Sequence, residues 1–161
     1  MKTITNDTEY EFANLVFGYV VDDIDLQCNQ DIDVVYDPYS IMNNYGYSYH
    51  KTVSVKCQDK AHIYGNVVFE VGLEDKQGNI VDGNFKMCCA DEYAIATHNE
   101  WWIFDSAKLK SFVYQNYTKK TTTTVDIEKG NESEGRKYIK SHLLLVKYDE
   151  LRSVADEIYK R

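Results

Sequence analysis

The chain of 161 residues is long enough for one domain with a substantial buried core. Hydrophobic residues make up 43% and aromatic residues 14% of it, which excludes a disordered polar chain. The formal net charge of −8 disfavours non-specific attraction to nucleic acid, so a DNA contact would need a local basic patch or bridging cations. The first residues lack the apolar segment of a secretion signal, and no apolar run is long enough to span a membrane. We therefore expect a cytoplasmic protein.

Periodicity predicts a helix and then a strand at the start of the chain. Apolar residues recur at helical spacing over 8–20, which predicts an amphipathic helix. Segment 31–36 is rich in β-branched residues and predicts a strand that ends before Pro38. Segment 39–51 predicts a long loop.

The stretch 52–58 alternates apolar and polar residues with the period of a half-buried strand. The apolar face would carry Val53, Val55 and Cys57, and the polar face Thr52, Ser54, Lys56 and Gln58. A lysine is therefore expected on a strand beside small polar groups.

Strands and helices alternate in the remainder of the chain. Strands are predicted at 67–71, 91–96, 100–105 and 141–146, a turn at 75–79, a short helix capped by Asp105 or Ser106, and a terminal helix over 149–159. Trp101 and Trp102 are neighbours on a strand, so we expect one in the core and one on the surface. The pattern indicates α/β or α+β architecture in a single domain spanning 1–161.

Divalent-cation chemistry is indicated by acids and a lysine on successive strands. Phosphodiester hydrolysis uses carboxylates to hold the cation and a positive group to stabilise developing charge. Alternation places Asp31 and Asp33 on one strand face, and Lys56 on a face of the next predicted strand. Glu70 on a later strand and Glu11 in the first helix are placed to add a carboxylate.

The order of these features resembles the PD-(D/E)xK nuclease superfamily, specifically its small phage-type members. An N-terminal helix bearing Glu, an acidic strand and the strand Val55-Lys56-Cys57-Gln58 follow one another, and the resemblance extends over roughly residues 9 to 113. It implies a restriction-endonuclease-like fold, with a central mixed β-sheet flanked by helices, and cleavage of DNA with Mg²⁺ or Mn²⁺.

The resemblance assigns a role to each candidate residue. Asp33, with Asp31 as its rival, matches the motif aspartate, and Ser54 stands where the motif has its second acid. Glu70 is the expected replacement for that acid. The expected metal ligands are Asp33, Glu70 and Asp31, and the expected catalytic residues are Lys56, Gln58 and Glu11.

Three functions stay open on the sequence. The first is a metal-dependent DNA nuclease, phage-encoded, that acts in recombination, repair or DNA processing in the host cytoplasm. The second is a nuclease-like binding protein that has lost its chemistry, such as a phage inhibitor of a host defence complex with a protein partner, or an acidic DNA mimic. The third is a structural protein with an α/β core. The sequence does not distinguish a monomer from a homodimer.

Three further groups of residues carry predictions. The four cysteines (Cys28, Cys57, Cys88 and Cys89) form no CxxC pair, which predicts free, buried thiols and no zinc site. Tyrosines cluster over 36–49, where they would either stack on unpaired bases or cover the sheet edge. Lys108 and Lys110 are the basic pair expected to touch a DNA backbone.

Overall fold

Two β-sheets with short helices around them make up the described part of the chain. The computed structural model describes residues 7–38, 50–117, 122–126 and 138–161. The helices in these ranges are α1 (Asp7–Val16), α2 (Ile24–Gln30), α3 (Ala61–Tyr64), α4 (Asn84–Met87), α5 (Ser106–Asn116) and α6 (Tyr148–Ser153). The strands are β1 (Tyr19–Val20), β2 (Val34–Tyr36), β3 (Lys51–Cys57), β4 (Asn66–Asp75), β5 (Ile80–Asp82), β6 (Glu92–Ala96), β7 (Glu100–Asp105), β8 (Thr122–Asp126), β9 (Tyr138–Lys147) and β10 (Glu157–Lys160).

The first sheet is mixed and has six strands in the order β1-β2-β3-β6-β7-β10. Its pair β3–β6 is parallel, and every other neighbouring pair is antiparallel. The second sheet is antiparallel, in the order β5-β4-β9-β8. The expected α/β class is therefore confirmed at this level, but a second sheet accompanies the expected central one.

The first sheet is covered on both faces. On one face, Phe12 and Ala13 of α1 pack in a cluster with Val53 and Trp101. The opposite face shares a larger cluster with the second sheet, which contributes Val67, Phe69, Leu144 and Val146. The sheet is thus the middle layer of the molecule, with helix α1 outside one face and the second sheet outside the other.

Two neighbouring strand positions show the effect of this double cover. Trp101 and Trp102 are both buried, at 1% and 0% exposed, because each packs into a different core cluster. The expectation of one core and one surface tryptophan was wrong. The strand expected at 52–58 is confirmed as β3, but its half-buried pattern was wrong, since Ser54 on the polar face is fully buried and Cys57 on the apolar face is exposed.

Helix α1 ends four residues earlier than the apolar spacing predicts. Phe17 adopts a left-handed conformation (φ 55°), and Gly18 donates its N–H to the carbonyl of Ala13 at 2.8 Å. The chain then turns into β1, which pairs with β2. A side chain at Gly18 would stand 2.7 Å from the carbonyl oxygen of Val35, so only glycine allows this close approach.

Only the first part of the terminal helix predicted over 149–159 is confirmed. Helix α6 forms and buries Leu151, but the last residues form β10, which pairs antiparallel with β7. Ile158 and Tyr159 are 40% and 42% exposed, so their spacing does not mark a buried helix face. Pairing with the edge of the first sheet determines this segment, and helical periodicity does not.

The other predicted elements have mixed outcomes. Strands at 67–71, 91–96, 100–105 and 141–146, the turn at 75–79 and the helix capped by Asp105 are confirmed. The strand predicted at 31–36 is shorter, since Asp31 ends the unexpected helix α2. The loop residues 39–49, with their tyrosines, lie outside the described ranges.

All four cysteines are free, as expected, but only Cys88 is buried. Within the described ranges, none of the helices is both long and apolar enough to cross a membrane.

We predict that Gly18→Ala lowers the free energy of unfolding by about 1–3 kcal/mol, because the added Cβ forces α1 and β2 apart. Urea unfolding followed by tryptophan fluorescence measures this change. Asn14→Ala, on the exposed side of α1, is the control and should stay within about 0.5 kcal/mol of the parent protein. Equal stability of the two variants would contradict the close approach.

Candidate functional site

The site centres on Lys56 in strand β3. Its ammonium nitrogen Nζ lies 2.5 Å from Oδ1 of Asp31 and 3.7 Å from Oδ2 of Asp33. Both aspartates are less than a tenth exposed, and the side chain of Lys56 is 26% exposed. Two carboxylates and one ammonium therefore meet at the surface end of a largely buried cluster.

Local backbone structure brings the two aspartates to β3. Asp31 ends helix α2 in a left-handed conformation (φ 52°), which aspartate tolerates better than most residues. Asp33 then continues the antiparallel pairing, with its N–H donating to the carbonyl of Val53 at 2.9 Å. The left-handed turn and the short extended segment together direct both carboxylates toward β3.

Hydrogen bonds from β3 fix each carboxylate. The hydroxyl of Ser54 donates to Oδ2 of Asp31 at 2.6 Å, and the N–H of Val55 donates to Oδ2 of Asp33 at 2.7 Å. Ser54 is fully buried, so its hydroxyl has lost water as a partner. Ser54 thus orients the carboxylate of Asp31.

Burial and the charges of the cluster shift the pKa values of Asp33 and Lys56. Burial raises the pKa of Asp33, and the nearby Lys56 ammonium and the N–H of Val55 offset this only in part. Burial alone would lower the pKa of Lys56, but the carboxylates of Asp31 and Asp33 outweigh it and raise that pKa. The lysine is therefore a permanent cation in the neutral range.

The other three candidate residues, Gln58, Glu11 and Glu70, form hydrogen bonds with groups outside the Lys56 cluster. The side-chain amide of Gln58 donates to the carbonyl of Val68 at 3.1 Å, in the second sheet. Glu11 accepts two hydrogen bonds from the guanidinium of Arg161, at 2.8 and 3.0 Å. Glu70 accepts a hydrogen bond from the hydroxyl of Ser141 at 2.8 Å. The structure thus joins Asp31, Asp33 and Lys56 and gives Gln58, Glu11 and Glu70 other partners.

Tyr93 lies beside the cluster and was not expected from the sequence. Tyr93 on strand β6 is paired in register with Ser54 on strand β3, so both side chains lie on the same face of the sheet. Its ring packs against Phe69 and Phe85, and it is 3% exposed. Burial, and then the charge of Asp31, raise its pKa well above the usual range, so the phenol stays neutral.

A second polar cluster, also unexpected, lies at the start of β6. The carboxylate of Glu92 is nearly buried and accepts a hydrogen bond from the Tyr36 hydroxyl at 2.7 Å. The ammonium of Lys51 forms an ion pair with the same carboxylate. Burial and the hydrogen bond to Glu92 raise the pKa of Tyr36. In the sequence, this cluster was indicated only by the adjacent acids Asp91 and Glu92 at the start of a predicted strand.

The basic residues near α5 are engaged within the protein. The ammonium of Lys110 donates to the carbonyls of Cys88 at 2.6 Å and Lys86 at 3.2 Å. Lys108 is 74% exposed and lies 3.3 Å from the carboxylate of Asp156. Lys108 is therefore the better placed of the expected pair to meet an anion.

The donor chemistry of the cluster fits a hard divalent cation. Mg²⁺ is commonly held by one or two carboxylates together with waters and substrate phosphates, and Asp31 and Asp33 supply such a pair. Within the described residues, however, no group of three or more His, Cys, Asp or Glu side chains is arranged to hold a metal ion. The pair would have to share a cation with non-protein oxygens.

Comparisons with protein-family models, with curated proteins and with solved structures found no match.

We predict that Lys56→Met lowers the free energy of unfolding by about 2–4 kcal/mol at pH 7, because it leaves two largely buried carboxylates without their cation. Chemical denaturation measures the loss. Lys76→Met, in an exposed turn, is the matched control and should change stability by less than about 0.5 kcal/mol. A Lys56 variant as stable as this control would contradict the ion cluster.

We predict that Asp33→Asn gains stability relative to the parent protein as the pH rises from the acidic to the neutral range. The pKa of Asp33 lies above its usual value of 3.8 in the folded protein, so the stability that this carboxyl contributes is lost as the pH rises through the raised pKa. Asparagine does not ionise and keeps an oxygen for the N–H of Val55. Urea unfolding between pH 4 and pH 7 with a chelator present measures the difference, and a constant difference would contradict the raised pKa.

Proposed function

We propose that the protein is a divalent-cation-dependent nuclease of the PD-(D/E)xK type, acting on DNA through Asp31, Asp33 and Lys56. The observation that supports this most is the position of one ammonium within 4 Å of both carboxylates. The mixed sheet, in which β3 pairs antiparallel with β2 and parallel with β6, supports the restriction-endonuclease-like fold as part of the same proposal.

Each residue of the cluster has a role in this proposal. Asp31 and Asp33 would hold Mg²⁺ or Mn²⁺, which when bound neutralises phosphate charge and activates water. Lys56 keeps its charge at neutral pH and is placed to stabilise the developing negative charge on the phosphate. Ser54 positions the carboxylate of Asp31 through its hydrogen bond.

A second candidate is a nuclease-like protein that binds a partner without cleaving DNA. The observation that favours this candidate is that groups of the protein itself already donate hydrogen bonds to these carboxylates. Asp31 accepts hydrogen bonds from both Ser54 and Lys56, and Glu70, the expected replacement acid, accepts from Ser141. A cluster satisfied in this way can stabilise the fold without any cation.

Cation binding and DNA cleavage, measured together, separate the two candidates. For a nuclease, we expect calorimetry with Mn²⁺ to give one saturable site, and branched or single-stranded DNA to be cut with Mg²⁺ or Mn²⁺. Asp33→Asn should reduce cleavage by at least about 100-fold, because it removes a ligand charge while the fold is kept. Asp22→Asn, an exposed acid in the segment before α2, is the matched control and should cleave like the parent protein.

The outcomes decide between the candidates. Cleavage that Asp33→Asn leaves unchanged would reject the proposed site. Absence of both Mn²⁺ binding and cleavage in the folded parent protein would reject the nuclease and leave the binding protein. Glu70→Gln adds a test of the acid in the second sheet, since loss of cleavage in this variant would bring Glu70 into the site.

A further inference from the structure

A cavity lies on the face of the first sheet against which α1 packs. Its volume is about 290 Å³, roughly ten times the ~30 Å³ share of one water molecule in the liquid. Its lining includes the aromatic residues Phe12, Phe17, Tyr36 and Tyr159 and the acids Asp37 and Glu157. The cavity therefore has room for a side chain of a partner molecule.

The lining combines aromatic rings with negative charge. Among the described residues that line the cavity, four are aromatic, two are acidic and none is basic. Glu157 takes part in no ion pair among the described residues, although the hydroxyl of Tyr159 donates to its carboxylate. Aromatic faces together with carboxylates attract organic cations, and arginine most often in proteins.

The rim of the cavity exposes apolar side chains at an unusual backbone position. Phe17 is 86% exposed and adopts the left-handed conformation that glycine favours. Leu15 and Tyr159 beside it are 37% and 42% exposed. Gly18 allows α1 to approach β2 closely, which brings Phe17 to the same cavity as Tyr36. Exposed apolar groups around an acidic cavity suit a polypeptide partner better than a free ion.

The protein already contains one arginine bound in such surroundings. The guanidinium of Arg161 lies 5.7 Å from the centre of the Trp101 ring and pairs with the carboxylates of Glu11 and Asp59. Phe12, which lines the cavity, packs against the same Trp101 with ring centres 5.0 Å apart. Two neighbouring places on one sheet face thus combine aromatic rings with carboxylate oxygens, and Arg161 occupies one of them.

We propose that the cavity binds an arginine side chain of a partner polypeptide, whose neighbouring apolar residues cover Phe17 and Leu15. The guanidinium would stack on the aromatic rings of the lining and pair with Glu157. This site is separate from the Lys56 cluster and does not depend on nuclease activity.

The probe for this site is the peptide acetyl-Leu-Arg-Leu-amide, compared with the same peptide carrying citrulline. Citrulline has the shape of arginine without its charge. We expect the arginine peptide to shift the NMR signals of the Tyr36, Tyr159 and Phe17 rings in a saturable way, with a Kd about tenfold or more below that of the citrulline peptide. Equal affinity of the two peptides, or shifts confined to other rings, would overturn the proposal.

Two variants test the lining without loss of the fold. Phe17→Gly removes the ring at a position whose backbone conformation suits glycine, so the thermal midpoint should be kept or raised while the arginine peptide binds roughly fivefold or more weakly. Glu157→Gln should weaken binding similarly. Tyr10→Ala, an exposed aromatic of α1 outside the lining, is the control and should bind as the parent protein does. Unchanged binding in both Phe17→Gly and Glu157→Gln would overturn the assignment.

Discussion

The fold depends on neutralising one lysine in its central strand. Strand β3 lies between β2 and β6 and is buried on both faces at Val53, Ser54 and Val55, and the adjacent Lys56 is largely buried, so an unpaired ammonium there would be costly. Asp31 and Asp33 supply the compensating charge, and they reach Lys56 because α2 ends in a left-handed turn. The same arrangement leaves one carboxylate more than the lysine can balance. That excess negative charge is what a cation or a polar partner would meet at this site.

Local sequence patterns predicted most of the strands, but few of the elements that pack against them or pair with them. Short runs rich in apolar, aromatic and β-branched residues located β3, β6 and β7, because such patterns depend on nearby residues alone. They failed where a distant element decided burial. Trp102 is in the core because the second sheet covers it, and residues 157–160 form a strand because the edge of β7 is available. In both cases the element that decides the outcome is distant in the sequence from the position concerned.

The candidate site was predictable to the same extent. The order of Asp31, Asp33 and Lys56 along the chain was sufficient to bring them together, since they lie on segments that pair directly. The position of Glu70 could not be predicted, because β4 belongs to the second sheet. There the Glu70 carboxylate accepts a hydrogen bond from Ser141 of β9. Glu11 was expected near the lysine, but the residue that pairs with it is Arg161, 150 positions away. Partners at this sequence separation leave no local pattern.

The parallel pairing of β3 with β6 has a consequence for how the chain folds. A parallel pair needs a crossover connection, and here the connection contains β4 and β5 of the second sheet. Strands β8 and β9 are likewise placed between β7 and β10 of the first sheet. Neither sheet is made from one continuous piece of chain, so neither can form fully on its own. We expect slow folding governed by distant contacts, with both sheets acquiring hydrogen-exchange protection together.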